Sequence, residues 1–526
     1  MVVEDRFDGE ARIRRGLRGA LRGRRDPAPV AGQRNRNAGL SDLYTRKVLD
    51  LTIRLAEVML SSGSGTADVI ATAQDVAQAY QLNDCVVDVT FTTIIVAALP
   101  TADSPPVTIV RSVRTRSTDY TRLADLDRLV GEITSGGVAV DQAHEAMDEL
   151  TQQPHPYPRW LSTAGWAGFA IGIAMLLGGS WLTCVVAAVT SAAIDQMGRV
   201  LNRLSTPFFF QNVLGALVAT LVALAVYMLT GQGLTALVAT GIVMLLSGLT
   251  LVGSMQDALT GHIITAVARL SDAVFMTAGI VVGTLAGLQV ATLAGVKIEL
   301  NVGATQTFIT PHEPLQIGVA VIGAGLAGAC LTIAGYAPLR SAAPAGIAAG
   351  LAELVLIGLS VVGFGQIVAA GIAAVGVGVL ATVLSIRRQA PALVTSTAGI
   401  TPMLPGMAVF RAVFYFAVND RFDDGLAQLL AAAATALALG AGVVMGELLG
   451  SPLRYGAGRI GDYFRIEGPP GLRRAVGRVV RLRPVENAPT GRPMARSVAL
   501  EPSPDEDPDD TAEPDNPGDP EGDRVS

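Results

Sequence analysis

Lysine is nearly absent from this chain, standing only at Lys47 and Lys297. A phosphate-cradling P-loop needs a glycine-rich loop ending in Lys-Ser/Thr. Arg46-Lys47-Val48 and Val296-Lys297-Ile298 do not supply one, which excludes a conventional P-loop ATPase. Cysteine is equally scarce: Cys85, Cys184 and Cys330 lie too far apart for a disulfide framework or a metal-ligand spacing. No H-E-x-x-H or G-x-S-x-G stretch occurs, and His144 and His155 fall in a charged helix and a proline-rich linker. Catalytic residues, metal ligands and cofactors are therefore not expected. Charge is scarce too, at 16% of residues, and residues 213–229 carry none. A soluble core would interleave charges at helical or strand period.

What the chain has in abundance is apolar sequence. Half of its residues are hydrophobic, and residues 160–449 fall into about ten blocks near the ~20 residues that span a bilayer's hydrocarbon. The expected spans are 160–178, 181–197, 208–229, 234–255, 263–288, 315–334, 342–362, 365–386, 392–418 and 426–449. Arginine counts then set their orientation. With the N-terminus inside, the cytoplasmic connections carry Arg199 and Arg203, His262 and Arg269, Arg340, Arg387 and Arg388, and the basic stretch after Arg454. The other face receives Lys297, Glu299, Glu313 and an acidic turn at 419–424. Both termini are expected in the cytoplasm of a multi-pass plasma-membrane protein.

Domain organisation follows from composition. Residues 1–39 form an arginine-rich arm without a signal-peptide core. Residues 40–154 read as a cytoplasmic α/β domain, with helices at 42–60, 67–80, 123–134 and 138–150 and strands at 85–99 and 107–115. Membrane halves occupy 159–290 and 315–450, and residues 451–526 form a tail, basic and then acidic, that cannot bury enough surface to fold. Within the loop at 61–66, glycine is expected to end one helix and Thr66 to cap the next, with Asp68 in its first turn.

An internal match relates Gly241-Ile242 and Ser247-Gly248-Leu249 to Gly399-Ile400 and Pro405-Gly406-Met407 at an offset of 158 residues. Gly279-Ile280-Val281-Val282-Gly283 resembles residues 441–446 at a slightly different offset. Each match falls at the same place in a group of five spans. Two related units of five, an odd number, sit in opposite orientations, the inverted-repeat plan of many secondary transporters. The expected fold is thus mainly α, with about ten transmembrane helices in two inverted five-helix repeats behind a small α/β domain.

Candidate residues for small-molecule binding lie where spans are broken. Pro402 and Pro405 lack an N–H and disrupt the preceding turn, while Gly406 lets the backbone open, and Ser247-Gly248 repeats the break in the first half. Freed carbonyls accept from an ammonium and a half-helix N-terminus holds a carboxylate. Thr401 adjoins this break, and Arg411 follows it by little more than one turn. An acid at bilayer centre costs on the order of 2.5–3.5 kcal/mol, which makes Asp195, Asp257, Asp272 and Glu353 the proton-coupling candidates. Asp257 with Arg269 also reads as a boundary ion pair, and Asp195 as an anchor for a cytoplasmic loop.

Residues 56–66 (Ala56-Glu57-Val58-Met59-Leu60-Ser61-Ser62-Gly63-Ser64-Gly65-Thr66) and Val87-Asp88-Val89-Thr90-Phe91-Thr92-Thr93-Ile94 resemble the cytoplasmic domain of the threonine/serine exporter family. Leu246-Ser247-Gly248 through Arg269-Leu270, and Gly399-Ile400-Thr401-Pro402-Met403-Leu404-Pro405-Gly406, resemble its two membrane halves. The resemblance covers residues 40–449. It implies a secondary exporter of L-threonine and L-serine coupled to the membrane potential or a proton gradient, with protons and the lipid bilayer as partners. No nucleic acid is expected, and a homo-oligomer stays open. The chain departs from the family pattern at Ser247-Gly248, where Pro-Gly is usual, so that span is expected to be less sharply broken. His262 departs too, standing where an acid is expected. Dicarboxylate export is the alternative within the family, against which the scarcity of deep cations argues; a membrane-anchored hydrolase using the cytoplasmic domain is the alternative outside it.

Overall fold

The computed structural model describes residues 42–99, 105–113, 119–231, 233–293, 295, 314–386, 391–418 and 422–455. Residues 296–313 of the expected outward loop, Arg387 and Arg388, residues 419–421, the basic arm at 1–39 and residues 456–526 of the tail lie outside them, while residues 451–455, expected in the unfolded tail, continue the last helix.

The chain opens with helices α1 (Asp42–Ser61) and α2 (Thr66–Ala79). A three-stranded antiparallel sheet follows, β1 (Cys85–Thr90), β2 (Thr93–Ala98) and β3 (Val107–Ser112), in the order β1-β2-β3. Helices α3 (Tyr120–Thr134) and α4 (Val140–Gln152) complete the layer. Strand alternation sends Val87, Val89, Ile94 and Val96 to the helix face, where Val89 pairs with Ile94 and Val87 with Val96. They pack on Leu49, Ile53 and Leu55 of α1 and Leu126 and Ile133 of α3. As expected for the 61–66 loop, Gly63 ends α1 at φ 91°.

One expectation fails here: residues 85–99 form a hairpin rather than a single strand. The turn at Phe91-Thr92 places Phe91 at φ 54°, a left-handed conformation unusual for an aromatic residue. The Phe91 N–H donates to Thr265 Oγ1 at 3.0 Å, so a distant segment holds the turn. Burial pushes the Cys85 thiol up to about 12. Since the thiolate is the reacting species, Cys85 is expected to resist maleimide at neutral pH and react as pH rises, which a labelling time course at two pH values checks.

The remainder is helical: α5 (Arg159–Leu176), α6 (Trp181–Arg203), α7 (Phe208–Thr230), α8 (Leu234–Ile242), α9 (Gly248–Leu259), α10 (Ile263–Leu293), α11 (Pro314–Ala334), α12 (Ala342–Val362), α13 (Gln366–Ile386), α14 (Ala392–Ile400), α15 (Gly406–Val418) and α16 (Phe422–Tyr455). Among the described residues, seven helices are long and apolar enough to cross a membrane, and the count reaches nine if the bent pairs α8/α9 and α14/α15 are each one span. Their interfaces rest on small residues that let backbones approach closely. A β-carbon on Gly283 of α10 would overlap the Val213 carbonyl of α7, and one on Gly446 of α16 the Val375 carbonyl of α13. In the same way α5 packs on α11 through Gly165 and Gly172.

Candidate functional site

Both expected breaks are present and share one backbone path. Helix α8 passes through a 3-10 turn (Val243–Leu245) and α14 through another (Thr401–Met403). Each turn then leaves the helical region at one residue, Leu246 (φ −67°, ψ 130°) and Leu404 (φ −62°, ψ 134°), before α9 and α15 begin. The pairs bend by 50° and 48°. The Ser247-Gly248 break is therefore as sharp as the proline-containing one, contrary to the sequence expectation. The extended leucine makes the bend, and proline is not required for it.

The two breaks touch each other. A β-carbon on Gly248 would lie 2.9 Å from Leu404 Cβ and 3.3 Å from Gly406 N, and one on Gly406 would lie 2.9 Å from Leu246 Cβ and 3.5 Å from Gly248 N. Only glycine permits this crossing. Beside it lies a cavity of about 130 Å³, lined by Gly248, Leu249, Thr401, Pro402, Gly406 and Met407 and closed by Trp166, Phe169 and Ile173 of α5. It has room for several water molecules, each needing some ~10–15 Å³. The first N–H groups of a helix have no intrahelical partner. Both α9 and α15 thus present such donors, with the positive ends of their dipoles, on one small volume.

Of the candidate binding residues, Gly248, Thr401, Pro402 and Gly406 line this cavity. Ser247 does not: its Oγ bonds to the Ala273 carbonyl at 3.1 Å and to Thr277 Oγ1 at 3.3 Å, tying the break to α10. Pro405 sits behind the cavity, its carbonyl accepting from Ala408 N and Val409 N to start α15. Thr401 Oγ1 donates back to the Thr397 carbonyl. Arg411 is buried one turn further on and does not line the cavity.

The acids have separate environments. Glu353 is buried in α12, 4% exposed, and its Oε2 has no hydrogen-bond partner among the described residues. Asp272 is half-buried on α10. Asp195 Oδ2 accepts from Thr163 Oγ1 at 2.7 Å and from Arg199 Nη2 at 2.5 Å. Asp257 is 1% exposed and pairs with Arg269 Nη1 at 2.8 Å.

Asp257 also has a role that the sequence did not suggest. Its Oδ1 accepts from the Thr66 N–H at 3.0 Å, and Arg269 Nη2 donates to the Ser64 carbonyl at 3.4 Å. The cap of α2 is Gly65 with no side-chain bond, where Thr66 had been expected. Thr66 fails as the cap because it already lies inside the helix, and a carboxylate 191 residues away takes the vacant N–H. A second contact joins the α/β domain to the other half. The Tyr120 N–H donates to the Gly335 carbonyl, Tyr336 stacks on His155 at 4.2 Å, and Val394 of α14 belongs to the domain's own core. The domain thus grips one end of each bent span, α9 through Asp257 and α14 through Val394.

Comparison with known proteins points to one family. The family model described as "Putative threonine/serine exporter" matches residues 50–291, and the model "Threonine/Serine exporter, ThrE" matches residues 320–449. The chain is 72% identical over 510 residues to the "Probable threonine/serine exporter" of Mycobacterium tuberculosis, covering 96% of each chain. It is 36% identical over 413 residues to the "Threonine/serine exporter" of Corynebacterium glutamicum, covering 77% of this chain and 83% of the other. No solved structure matches significantly.

Proposed function

This chain belongs to the threonine/serine exporter family, and from that premise we propose that it exports L-threonine and L-serine across the plasma membrane by alternating access, driven by the proton-motive force. Its family is one of transporters, and the protein is not an enzyme. The observation that carries the site assignment is the meeting of the two breaks around one cavity. An amino acid's carboxylate takes the free N–H groups of α9 and α15, its ammonium takes carbonyls freed at the ends of the 3-10 turns, and Thr401 is the nearest hydroxyl. Arg411 supports the carboxylate end from one turn away.

An inverted repeat accounts for the paired breaks. The offset that relates Gly248 to Gly406 also relates the starts of α8 and α14, Leu234 to Ala392, and of α7 and α13, Phe208 to Gln366. The close contacts of Gly283 on Val213 and of Gly446 on Val375 recur in the corresponding helix pairs. Counting α5 and two bent spans gives about ten crossings, five per half, hence opposite orientations. Arg269 bonds to the domain's own loop, and the Arg340 turn adjoins the segment on which Tyr120 docks. Placing the domain and these arginines in the cytoplasm satisfies the positive-inside rule.

Asp195 and Asp257 already hold cationic partners, whereas Glu353 is buried with an unbonded oxygen, so Glu353 is the strongest coupling acid, ahead of the half-buried Asp272. A buried carboxylate with an unbonded oxygen is costly when charged, and a proton relieves that cost. Glu353→Gln keeps the shape and cannot titrate. It is expected to abolish proton-linked net export while leaving threonine exchange; a wild-type export rate across a proton gradient would remove Glu353 from the coupling role. Efflux of labelled threonine, serine and succinate from loaded cells, compared side by side, tests the exporter assignment. Succinate efflux without threonine efflux would overturn it.

A further inference from the structure

We propose that a cleft between α5 and α6, on the face that carries the α/β domain, is a capture site for the amino acid, and that Trp166 is the plug between this site and the central cavity. The inference rests on the exporter reading. The cleft, about 350 Å³, is lined by Arg159, Trp166, Asp195, Arg199, Arg203 and Tyr336, among others. Tyr336 is the ring that stacks on His155 and Tyr157 of the linker leaving the domain, which fixes the cleft at the domain's end of the bundle.

Trp166 lines both the cleft and the cavity at the two breaks, so this one residue stands between them. Its ring meets Phe169 edge to face, centroids 5.8 Å apart at 88°, and Ser191 Oγ donates to its carbonyl at 3.0 Å. The main chain is therefore held by a hydrogen bond, while the half-buried side chain packs on apolar neighbours, Phe169 among them. A ring held in that way can swing without breaking a hydrogen bond of its backbone.

The chemistry of the cleft fits a zwitterion. Asp195 spends Oδ2 on Thr163 and Arg199, leaving Oδ1 without a partner among the described residues. Arg159 and Arg203 form no ion pair among the described residues. An ammonium at Asp195 and a carboxylate at Arg159 and Arg203 satisfy all three.

The second half does not repeat this site. At the 158-residue offset Asp195 corresponds to Glu353, but Arg199 and Arg203 correspond to Ile357 and Val361. A charged capture site on one face alone suits a transporter that loads from a dilute pool there and releases on the other side.

The test uses the full chain in liposomes, measuring labelled threonine transport against the concentration on the domain side, together with maleimide labelling of Leu246→Cys from that side in a background lacking the three native cysteines. Asp195→Asn, and Arg159→Gln with Arg203→Gln, are each expected to raise KM for threonine tenfold or more while the maximal rate falls less than twofold. Trp166→Ala is expected to speed labelling at position 246 at least tenfold, with Trp166→Phe close to wild type. Unchanged KM in both charge variants would overturn the capture site, and unchanged labelling in Trp166→Ala would overturn the plug. Both failures are read against a wild-type protein that transports threonine. A wild type that transports neither threonine nor serine would instead sink the exporter reading itself.

Discussion

Gly248→Val and Gly406→Val are each expected to abolish threonine export while the protein still reaches the membrane. The crossing of the two breaks leaves no room for a side chain, because the nearest atoms are Leu404 Cβ and a backbone nitrogen on one side and Leu246 Cβ and a backbone nitrogen on the other. None of these is the flexible end of a long side chain. Overpacking of this kind costs about 1–3 kcal/mol, a fraction of a typical domain's stability of about 5–15 kcal/mol. The fold survives while the cavity loses its shape. Pro402→Ala with Pro405→Ala is expected to behave differently. The Ser247-Gly248 break bends by 50° without a proline, against 48° with two nearby, so removing the prolines leaves the extended Leu404 and the glycine contact in place. Most export should persist. Labelled threonine efflux at matched membrane levels decides: a glycine variant exporting at the wild-type rate, or the double alanine failing as completely as the glycine variants, would show that the crossing does not set the site.

Asp257→Ala is expected to detach the α/β domain from the helical body and to destabilise the protein by about 3–5 kcal/mol, the range for breaking a buried ion pair from one side. Arg269 would be left 9% exposed without its carboxylate, and the first N–H of α2 would lose its acceptor. Asp257→Asn separates the two losses, since an amide oxygen still accepts from Thr66 while Arg269 loses its charge partner. Its cost should be smaller than that of alanine. Asp257→Ala combined with Arg269→Met should recover part of the loss, because no uncompensated charge stays buried. Hydrogen exchange at Thr66 to Ile70, with thermal unfolding in detergent, reads both effects. Unchanged protection at the start of α2 in Asp257→Ala would mean the capping bond contributes nothing.

Much of this arrangement is legible in the sequence because the bilayer enforces it. Uninterrupted apolar runs place the helices, and the match of Ser247-Gly248 with Pro405-Gly406 locates both bends within a residue. What the sequence hides depends on partners far along the chain. Nothing near Phe91 announces a turn, since the donor that holds it meets Thr265 Oγ1. Thr66 has the residue type of a helix cap, yet the capping acid is Asp257. Proline looks like the cause of the second bend until the first bend is seen to match it without one. Trp166 carries no signal in the sequence because an aromatic in a span is ordinarily packing; only its place between two cavities separates it from Phe169. The acids were legible as a set and not as individuals, because burial and partners, rather than residue type, distinguish Glu353 from Asp195 and Asp257.

The central claim is that the two bent spans jointly form the threonine site, and protection of single cysteines tests it most directly. In the cysteine-free background, Leu246→Cys and Leu404→Cys place one thiol on each side of the cavity, and Leu293→Cys, at a position 81% exposed, serves as the reference. L-Threonine is expected to slow alkylation at both cavity positions with one common half-saturating concentration and to leave position 293 unaffected. Protection at neither cavity position, or at one without the other, would contradict a site shared by the two breaks.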